Sequence, residues 1–327
     1  MTAVSGGPDE RMLPRCVQAA SLSPSLHNSQ PWRFRATGSA VEVFVDRERQ
    51  LRELDPLGRE MLISVGAAVF TLRLAIRREG WMPGLSLFPE SGEPDLVARI
   101  RLARPSPPPA GLRVLADAIA ERHTHRRPLA SAVVPADAIE QITKAASDEG
   151  ATLTIAGAVS RDAILGLGRV AEQRLRAHGG YRAELGRWTQ PAPSRRDGIP
   201  PAAIGPWDAL ERMPMRDFGL MQPQVWRTAE RFETHPTIAV LATHGDGQRE
   251  WVRAGQALQR VLLVATCLHL ATTPISQPVE VPAIRALLTR TDADQWAQMV
   301  IRLGYGTPAP ASPRRPLAEI LEGEPPM

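Results

Sequence analysis

Apolar residues recur at every third or fourth position over two long stretches of the chain, which is the pattern of helices that bury one face. The first helix is predicted at residues 60–79, and Gly80 stops it. Its apolar face comprises Leu62, Val65, Val69, Leu72 and Ile76. The second long helix is predicted from Gly247 or Gln248 to Leu270. Further helices are predicted at residues 13–20, 112–122, 136–149, 161–185 and 284–288.

Short apolar runs between these helices predict β-strands. They lie at residues 41–46, 85–89, 96–102, 151–156, 237–243 and 297–304. Helices exceed strands, so the expected fold class is α+β, with long helices packed against a sheet. The chain has 327 residues, of which 43% are hydrophobic, and this is enough for one large domain or two ordinary ones.

Two segments of the chain resemble each other, and each follows a predicted strand. An Arg-Glu pair leads to Gly66 and a long apolar helix in the first segment, and a second Arg-Glu pair leads to Gly255 and a similar helix in the other. The alternative is that any two amphipathic helices look alike. We predict an internal duplication in which Gly66 and Gly255 are equivalent.

Charge and cysteine content narrow the class of protein only slightly. The formal net charge is +4, and Lys144 is the only lysine among the basic residues. A GC-rich coding bias explains most of the arginines, and we find no basic stripe with interleaved aromatics that would indicate nucleic-acid binding. No apolar run reaches membrane-spanning length, and the polar N-terminus does not resemble a secretion signal. Cys16 and Cys267 give no disulfide framework, so a cytoplasmic protein is expected.

A loop at residues 23–34 carries many side-chain donors and acceptors for its length. Two prolines make it a loop, and Ser25, Asn28 and Gln30 supply a hydroxyl and two amide groups. An Asn and a Gln two positions apart can pair with both the donor and the acceptor edge of a planar heterocycle. The alternative interpretation is a polar turn before a strand.

Arg122, Thr124 and Arg126 alternate along the chain at the end of a predicted helix. In an extended segment this spacing puts all three side chains on one face. Two guanidinium forks and a hydroxyl on one face suit a phosphate, whereas the alternative is a solvated run of charge. His123 and His125 would face the other way, and no third metal ligand is evident, so we interpret them as structural.

These two motifs together resemble those of the nitroreductase family. The loop is similar to the family's flavin-contacting PSxxNxQPW segment, and residues 122–126 resemble its RxSxR-like phosphate-binding segment, with Thr124 in place of serine. The first copy of the repeat has the loop but lacks the arginines, whereas the second has the arginines but no such loop at residues 148–152. Most of residues 11–321 therefore resemble a fused nitroreductase dimer, similar to the mycobacterial Acg subgroup.

The resemblance implies a nitroreductase-like α+β fold built as a pseudo-dimer of two degenerate repeats, with mixed or antiparallel sheets flanked by long helices. The halves are expected at residues 1–104 and 111–327, intertwined in one unit. Residues 186–221 show no steady period and are rich in proline, glycine, arginine and tryptophan. A long segment of this kind is commonly a functional loop, so we predict a lid over the flavin.

The resemblance also implies one FMN per chain and no catalytic side chain, because the flavin carries the redox chemistry. Residues 273–277 resemble the family's turn whose backbone N–H, here that of Ser276, points at the reactive edge of the flavin; the alternative is an ordinary turn. A basic pair late in the chain resembles the one that closes over the ribityl phosphate. The expected cofactor-binding residues are Ser25, Asn28, Gln30, Arg122, Thr124, Arg126, Pro274, Ile275, Ser276, Gln277, Arg314 and Arg315.

The activity that the resemblance implies is hydride transfer from NAD(P)H through flavin N5 to an acceptor such as a quinone or a nitroaromatic. The alternative is a flavin-sequestering protein with little or no reductase turnover, because a lid can close the path of the nicotinamide. A basic nucleic-acid-binding protein is a third and weaker alternative. We expect a monomer to bind flavin, and a dimer is compatible with the same sequence. The electron acceptor and the choice between NADH and NADPH stay open.

Overall fold

The computed structural model describes residues 11–190, 192, 194–221 and 227–322. Its α-helices are α1 Met12–Ala20, α2 Arg59–Arg78, α3 Leu112–Glu121, α4 Ala136–Ser147, α5 Ala158–Ala177, α6 Gly179–Thr189, α7 Gln248–Cys267, α8 Gln277–Glu280, α9 Pro282–Leu288 and α10 Leu317–Ile320. Its β-strands are β1 Trp32–Thr37, β2 Ala40–Val45, β3 Trp81–Leu87, β4 Leu96–Pro105, β5 Ala151–Ile155, β6 Trp207–Asp208, β7 Ala229–Glu230, β8 Thr237–His244, β9 Ala271–Ile275, β10 Gln295–Gly304 and β11 Leu321–Glu322. Parts of the predicted halves (1–10, 222–226 and 323–327) and positions 191 and 193 of the predicted lid lie outside the described residues.

The strands form two main sheets. The first has the order β11-β1-β2-β4-β3, and the second has the order β5-β8-β10-β9. All pairs in the second sheet are antiparallel, whereas the first sheet is mixed because β11 pairs with β1 in parallel. Mixed and antiparallel sheets with long helices confirm the predicted α+β class. Strand β11, from the second predicted half, pairs with β1 of the first. The division of the chain into two intertwined halves stays a prediction.

Two buried helices, α2 and α7, form the centre of the molecule. Helix α2 buries Val65, Val69 and Leu72 in one apolar core with residues of the first sheet. Helix α7 buries Val261 and Leu262 in a second core with residues of the other sheet. The layers therefore run sheet, helix, helix, sheet, and each helix is apolar on most of its circumference because it has a neighbour on both sides.

The two central helices cross with almost no space between their backbones. A Cβ atom on Gly66 would lie 2.2 Å from the carbonyl oxygen of Val252, and one on Gly255 would lie 2.0 Å from that of Ile63. The same two hypothetical atoms would lie 3.0 and 2.9 Å from the Cα atom of the opposite glycine. The positions predicted as equivalent therefore meet at one contact, which a twofold axis between duplicated halves would require. The duplication itself stays a prediction that this contact supports.

The predicted helix at 161–185 is wrong, because the chain forms two helices there. His178 has φ −89° and ψ 121°, an extended conformation that ends α5 and precedes α6. The glycines that follow allow a close approach, since a Cβ on Gly180 would lie 2.2 Å from a carboxylate oxygen of Glu53. Apolar residues continue at helical spacing across the break, which is why the sequence pattern did not reveal it. Helix α6 also extends into the segment predicted as a lid.

Two strands lie where the sequence predicts loop or turn. Strand β1 begins at Trp32, and its alternation of buried Trp32 and Phe34 with partly exposed arginines is a period-two signal. Strand β9 includes Pro274, which argues against a central strand. Proline is tolerated here because β9 lies at the edge of its sheet. Of the turn predicted at 273–277, only Ser276 lies outside a strand or helix, between β9 and α8.

Within the described ranges, no helix combines the length and the apolar character that a bilayer span requires.

Replacing Gly66 with alanine should destabilise the protein, because the added methyl group would meet the backbone of α7 rather than a movable side chain. Overpacking of a core typically costs about 1–3 kcal/mol, and a backbone clash belongs at the upper end. Denaturant unfolding measures the change. The matched control is Gly166→Ala in α5, where the nearest atom lies 3.8 Å away and alanine should stabilise by up to about 1 kcal/mol. Equal effects of the two substitutions would contradict the tight crossing.

Candidate functional site

A cleft lies between the central helices and the loops that surround them. Its walls come from residues 24–27, the first two turns of α2, residues 124–126, residues 214–218 and residues 273–277. The empty volume is about 800 Å³, part of which is open to solvent.

The structure brings most of the expected site residues to this cleft. Ser25, Thr124, Arg126, Pro274, Ile275, Ser276 and Gln277 line it. The remaining expected residues, Asn28, Gln30, Arg122, Arg314 and Arg315, are not among the residues that line it. These five lie behind the wall formed by residues 22–25, where several of them contact one another.

Two of these residues form a buried cluster of positive charge. Arg122 Nη2 and Arg314 Nη2 both donate to the carbonyl oxygen of Leu22, at 3.3 and 3.2 Å. Neither guanidinium has an acid partner in the described part of the chain, and the Nε atoms of both have no hydrogen-bond partner. Burial and the nearby Arg314 charge lower the pKa of Arg122 to about 9, and burial lowers the pKa of Arg314 to about 10. Both stay charged at neutral pH, and a buried charge without a partner is the signature of an anion site.

Arg126 is a third guanidinium without an acid partner among the described residues, and it is half-buried. Its Nη1 donates to the Ala203 carbonyl at 3.0 Å, and its guanidinium lies over the Phe218 ring, 5.0 Å from the centroid. Burial and the charge of Arg216 lower the pKa of Arg126 to about 10. Arg126 therefore brings an unmatched positive charge to the wall of the cleft itself.

The predicted alternation of residues 122–126 is visible in the structure. Thr124 forms a parallel bridge with Thr272, and His125 N donates to the Thr272 carbonyl, so the segment extends along the edge of β9. Thr124 and Arg126 line the cleft, whereas His125 packs on the opposite side, where a Cβ on Gly306 would lie 2.6 Å from its Nε2. The extended backbone is what puts alternate side chains on one face.

The amide of Asn28 does not contact the cleft, contrary to the expectation from sequence. Its Nδ2 donates to the carbonyl oxygens of Gly198 and Pro313, each at 3.0 Å, and its Oδ1 accepts from Arg314 Nη1 at 2.9 Å. Both N–H donors of this amide and one of the two acceptor positions of its oxygen are therefore occupied by protein groups. The side chain joins the predicted lid to the C-terminal segment and orients Arg314.

Gln30 has the same supporting role. Its Nε2 donates to the Arg196 carbonyl at 2.9 Å, and its Oε1 accepts from the Arg315 backbone N–H at 2.8 Å. The Arg315 side chain forms ion pairs with Asp46 and Glu319, at 3.7 and 3.4 Å, so its charge is matched. Of the predicted basic pair, Arg314 and Arg315, it is therefore Arg314 whose charge is available to an anion. The direct contact of these two amides with a heterocycle stays a prediction that this geometry does not favour.

The sequence analysis missed His27, which lines the cleft from the same loop. His27 has φ 51°, is 4% exposed, and has no hydrogen-bond partner at either ring nitrogen. Burial, then the charges of Arg216 and Arg126, lower the pKa of His27 well below its usual value, so the ring is neutral. A lone histidine in a polar loop carries no sequence signal for this environment.

Residues 214–218 cover the cleft and are tied to its floor. Arg216 pairs with the fully buried carboxylate of Glu280, and its Nη2 donates to Ser276 Oγ at 3.2 Å. Gln277 Nε2 donates to the Pro214 carbonyl at 2.9 Å. The sequence analysis had placed these residues in an aperiodic segment without identifying Arg216 or Glu280, because the pairing joins residues far apart in the chain.

Similarity to known proteins places the chain in a family. No protein-family model matches the sequence. The chain is 31% identical over 323 residues to "Uncharacterized protein Rv3127" of Mycobacterium tuberculosis, covering 95% of this chain and 93% of that protein. It is 31% identical over 328 residues to "Putative NAD(P)H nitroreductase Rv3131" of the same organism, with 96% and 92% covered. For "Putative NAD(P)H nitroreductase acg" the identity is 31% over 314 residues, with 93% of each chain covered.

With this identity over nearly the whole length, the chain belongs to the nitroreductase family. The relatives named above are mycobacterial proteins that include acg itself, which confirms the subgroup resemblance predicted from the sequence. Solved structures give weaker likenesses. A nitroreductase from Anabaena variabilis matches with TM-score 0.42 and 10% identity over 93% of this chain and 90% of that one. The FMN-dependent nitroreductase NfnB of Mycobacterium smegmatis, solved with NADPH, matches with TM-score 0.39 and 16% identity over 65% and 98%.

Inorganic phosphate should raise the melting temperature of the cofactor-free protein, because buried Arg122 and half-buried Arg126 and Arg314 lack acid partners among the described residues. A ligand at 100 times its Kd stabilises the native state by about 2.7 kcal/mol. Arg122→Met should remove most of this effect. Without phosphate the variant should be as stable as the wild type or more stable by about 1–4 kcal/mol, since an unmatched buried charge is replaced by apolar atoms.

The matched control for this experiment is Arg127→Met, whose side chain is 54% exposed and pairs with Glu230. Thermal melts of the three proteins over a phosphate series at constant ionic strength measure the result. Equal stabilisation of all three proteins by phosphate would contradict an anion site at Arg122.

Proposed function

We propose that this protein is an FMN-dependent NAD(P)H oxidoreductase of the nitroreductase type. The observation that carries the proposal is a group of three arginines without acid partners in the described ranges: Arg126, which lines the cleft, and Arg122 and Arg314, whose buried Nε atoms have no hydrogen-bond partner. Membership of the nitroreductase family supports the same function, since two relatives bear the name of NAD(P)H nitroreductase.

The residues present fit FMN. A phosphate monoester carries two negative charges and takes bidentate hydrogen bonds from guanidinium groups, and the orphaned Nε atoms of Arg122 and Arg314 are such donors. These arginines contact the carbonyls of Leu22 and Ser23, directly before the residues that line the cleft. The anion cluster therefore adjoins a cleft with room for a ring system.

Bound FMN would supply the redox chemistry, by passing a hydride from NAD(P)H through N5 to an acceptor such as a quinone or a nitroaromatic. The side chains of this protein would bind, orient and enclose the cofactor. Arg122, Arg126 and Arg314 would hold the phosphate end. The backbone N–H of Ser276 would lie against the reactive edge of the ring, and residues 214–218 would exclude water from it.

Hydrogen bonds and an ion pair join the predicted lid to the first half of the chain. Residues 195–198 contact the loop of the first half through Asn28, Gln30 and Arg49, and Arg49 pairs with Asp197. The Trp188 ring contacts three guanidinium groups, with Arg49, Arg187 and Arg195 at 5.6, 5.6 and 5.5 Å from its centroid. We propose that this segment closes the site.

The same closure favours a second candidate function, a flavin-sequestering protein with little or no turnover. The observation behind it is that residues 195–198 and 214–218 are held by ion pairs at both ends, at Arg49 and at Glu280. Steady-state oxidation of NADH and NADPH by the flavin-loaded protein, with a quinone acceptor, separates the two functions. Turnover supports the reductase, and its absence in a protein that binds FMN tightly supports sequestration.

Substituting Arg122 and Arg126 together by alanine should weaken FMN binding while leaving riboflavin binding unchanged. Each charge-assisted hydrogen bond to phosphate contributes about 1.5–3 kcal/mol, so roughly tenfold or more in Kd per arginine is expected. Riboflavin lacks the phosphate and serves as the internal control, and Arg127→Ala serves as the control for surface charge. Fluorescence titration measures both ligands. A double variant that binds FMN with wild-type affinity would overturn the assignment.

The protein should bind one FMN per chain as a monomer. The amide loop occurs only in the first half, and the unmatched arginines occur only in the second, where Asn28 of the first half orients Arg314. A pseudo-symmetric site would lack both parts and would be weaker by roughly 4–6 kcal/mol, a factor of a thousand or more. Light scattering combined with flavin absorbance measures the ratio. Two flavins per chain, or flavin bound only by a dimer, would contradict a fused site.

A further inference from the structure

Glu60 is a buried acid at the cleft to which the proposed function gives no role. It lies in the first turn of α2, is 3% exposed, and lines the cleft. It is not needed to cap the helix, because Asp55 Oδ2 already accepts from the Met61 backbone N–H at 2.8 Å. A buried carboxyl group at the wall of a ligand site therefore needs another explanation.

One oxygen of Glu60 is fixed and the other is left for a ligand. Oε1 accepts from Arg59 Nη2 at 2.6 Å. Arg59 is itself held by the carbonyl oxygens of Gln298 and Val279, at 2.8 and 3.2 Å, so the pair is positioned from two other elements. The described residues provide no hydrogen-bond partner for Oε2. Because Glu60 lines the cleft, its Oε2 is the oxygen available to a ligand there.

The charges around Glu60 favour its protonated form. Burial has the largest effect on its pKa, followed by the negative charge of Glu280, and together they outweigh Arg59 and raise the pKa of Glu60 to about 8. Asp55 raises this pKa further, and Arg216 lowers it, although the Arg216 charge is already matched by Glu280.

The other titratable groups at the cleft do not reverse this balance. His27 is neutral because its pKa is well below the usual value, and Arg126 faces the Phe218 ring. Glu60 therefore holds a proton at neutral pH, in a cleft where a carboxylate would be poorly solvated.

We propose that Glu60 is the acid that protonates the oxygen of the electron acceptor in this cleft, which rests on the proposed reductase function. A quinone that receives a hydride equivalent becomes a hydroquinone monoanion. The Oε2–H bond of Glu60 then breaks, a new O–H bond forms on the anionic oxygen, and neutral hydroquinone leaves. The Glu60 carboxylate regains a proton from water before the next turnover. Acceptors whose reduced form is an oxygen anion are the substrate class that this acid serves.

A structural role for the Arg59–Glu60 pair is the rival explanation, and three variants separate the two. Glu60→Gln keeps the size and the hydrogen bond to Arg59 but removes the acid. Glu60→Asp keeps an acid on a shorter side chain. Glu140→Gln removes an exposed carboxyl group of α4 that does not line the cleft. Each is loaded with FMN and assayed for quinone reduction at saturating NAD(P)H between pH 5.5 and 9.5, a range we choose to bracket pH 8.

With a Glu60 pKa of about 8, the wild-type kcat should fall tenfold per pH unit above that value. Glu60→Gln should lower kcat by roughly 10²–10⁴-fold and remove this alkaline limb. Glu60→Asp should restore the limb, and Glu140→Gln should retain the wild-type profile. A Glu60→Gln variant with the wild-type rate and alkaline limb would overturn the proposal while leaving the reductase function intact.

A measurement on the cofactor-free protein tests the acid independently of turnover. Infrared spectroscopy should show the carbonyl band of a protonated carboxylic acid that disappears with a midpoint near pH 8 and is absent from Glu60→Gln. Absence of that band from the wild type at pH 6 would overturn the proposal. Absence of NAD(P)H oxidation by flavin-loaded wild type would instead overturn the proposed reductase function, and this proposal with it.

Discussion

The contact between Gly66 and Gly255 is the constraint on which the rest of the structure depends. Because neither residue has a side chain, α2 and α7 approach until a Cβ on either would overlap a carbonyl oxygen of the other helix. Each helix then has a sheet on its outer side and its partner on its inner side. The close crossing also determines where α2 begins relative to β9, and so places Glu60 and Ser276 at one cleft.

The cleft combines buried charges of opposite sign that are matched in different ways. Arg216 and Glu280 neutralise each other and hold the covering segment in place. Arg122 and Arg314 have no acid partner among the described residues, so their desolvation is left to be offset by an anion. Glu60 avoids the same penalty by keeping its proton, because burial raises its pKa to about 8. The same charged groups therefore affect both the stability of the folded protein and the ligands that the site can bind.

Local patterns predicted the parts of the fold that depend on local physics. The period of apolar residues located α2 and α7 within a few residues, and the alternation at residues 122–126 was recovered on one edge of β9. The break at His178 was missed because helical periodicity continues through it. Strand β9 was missed because Pro274 argues against a strand unless its position at a sheet edge is known.

The sequence by itself determined the α+β class and the nitroreductase family, and it identified seven of the residues that line the cleft. These depend on periodicity and on short motifs, which adjacent residues carry. The tertiary structure alone decided that the amides of Asn28 and Gln30 donate to carbonyl oxygens of the predicted lid, that Arg315 is matched by acids, and that the charge of Glu280 raises the pKa of Glu60. Partners far apart in the chain make these assignments. A side chain's charge state and its free hydrogen-bonding positions depend on such partners and on burial, neither of which a linear pattern contains.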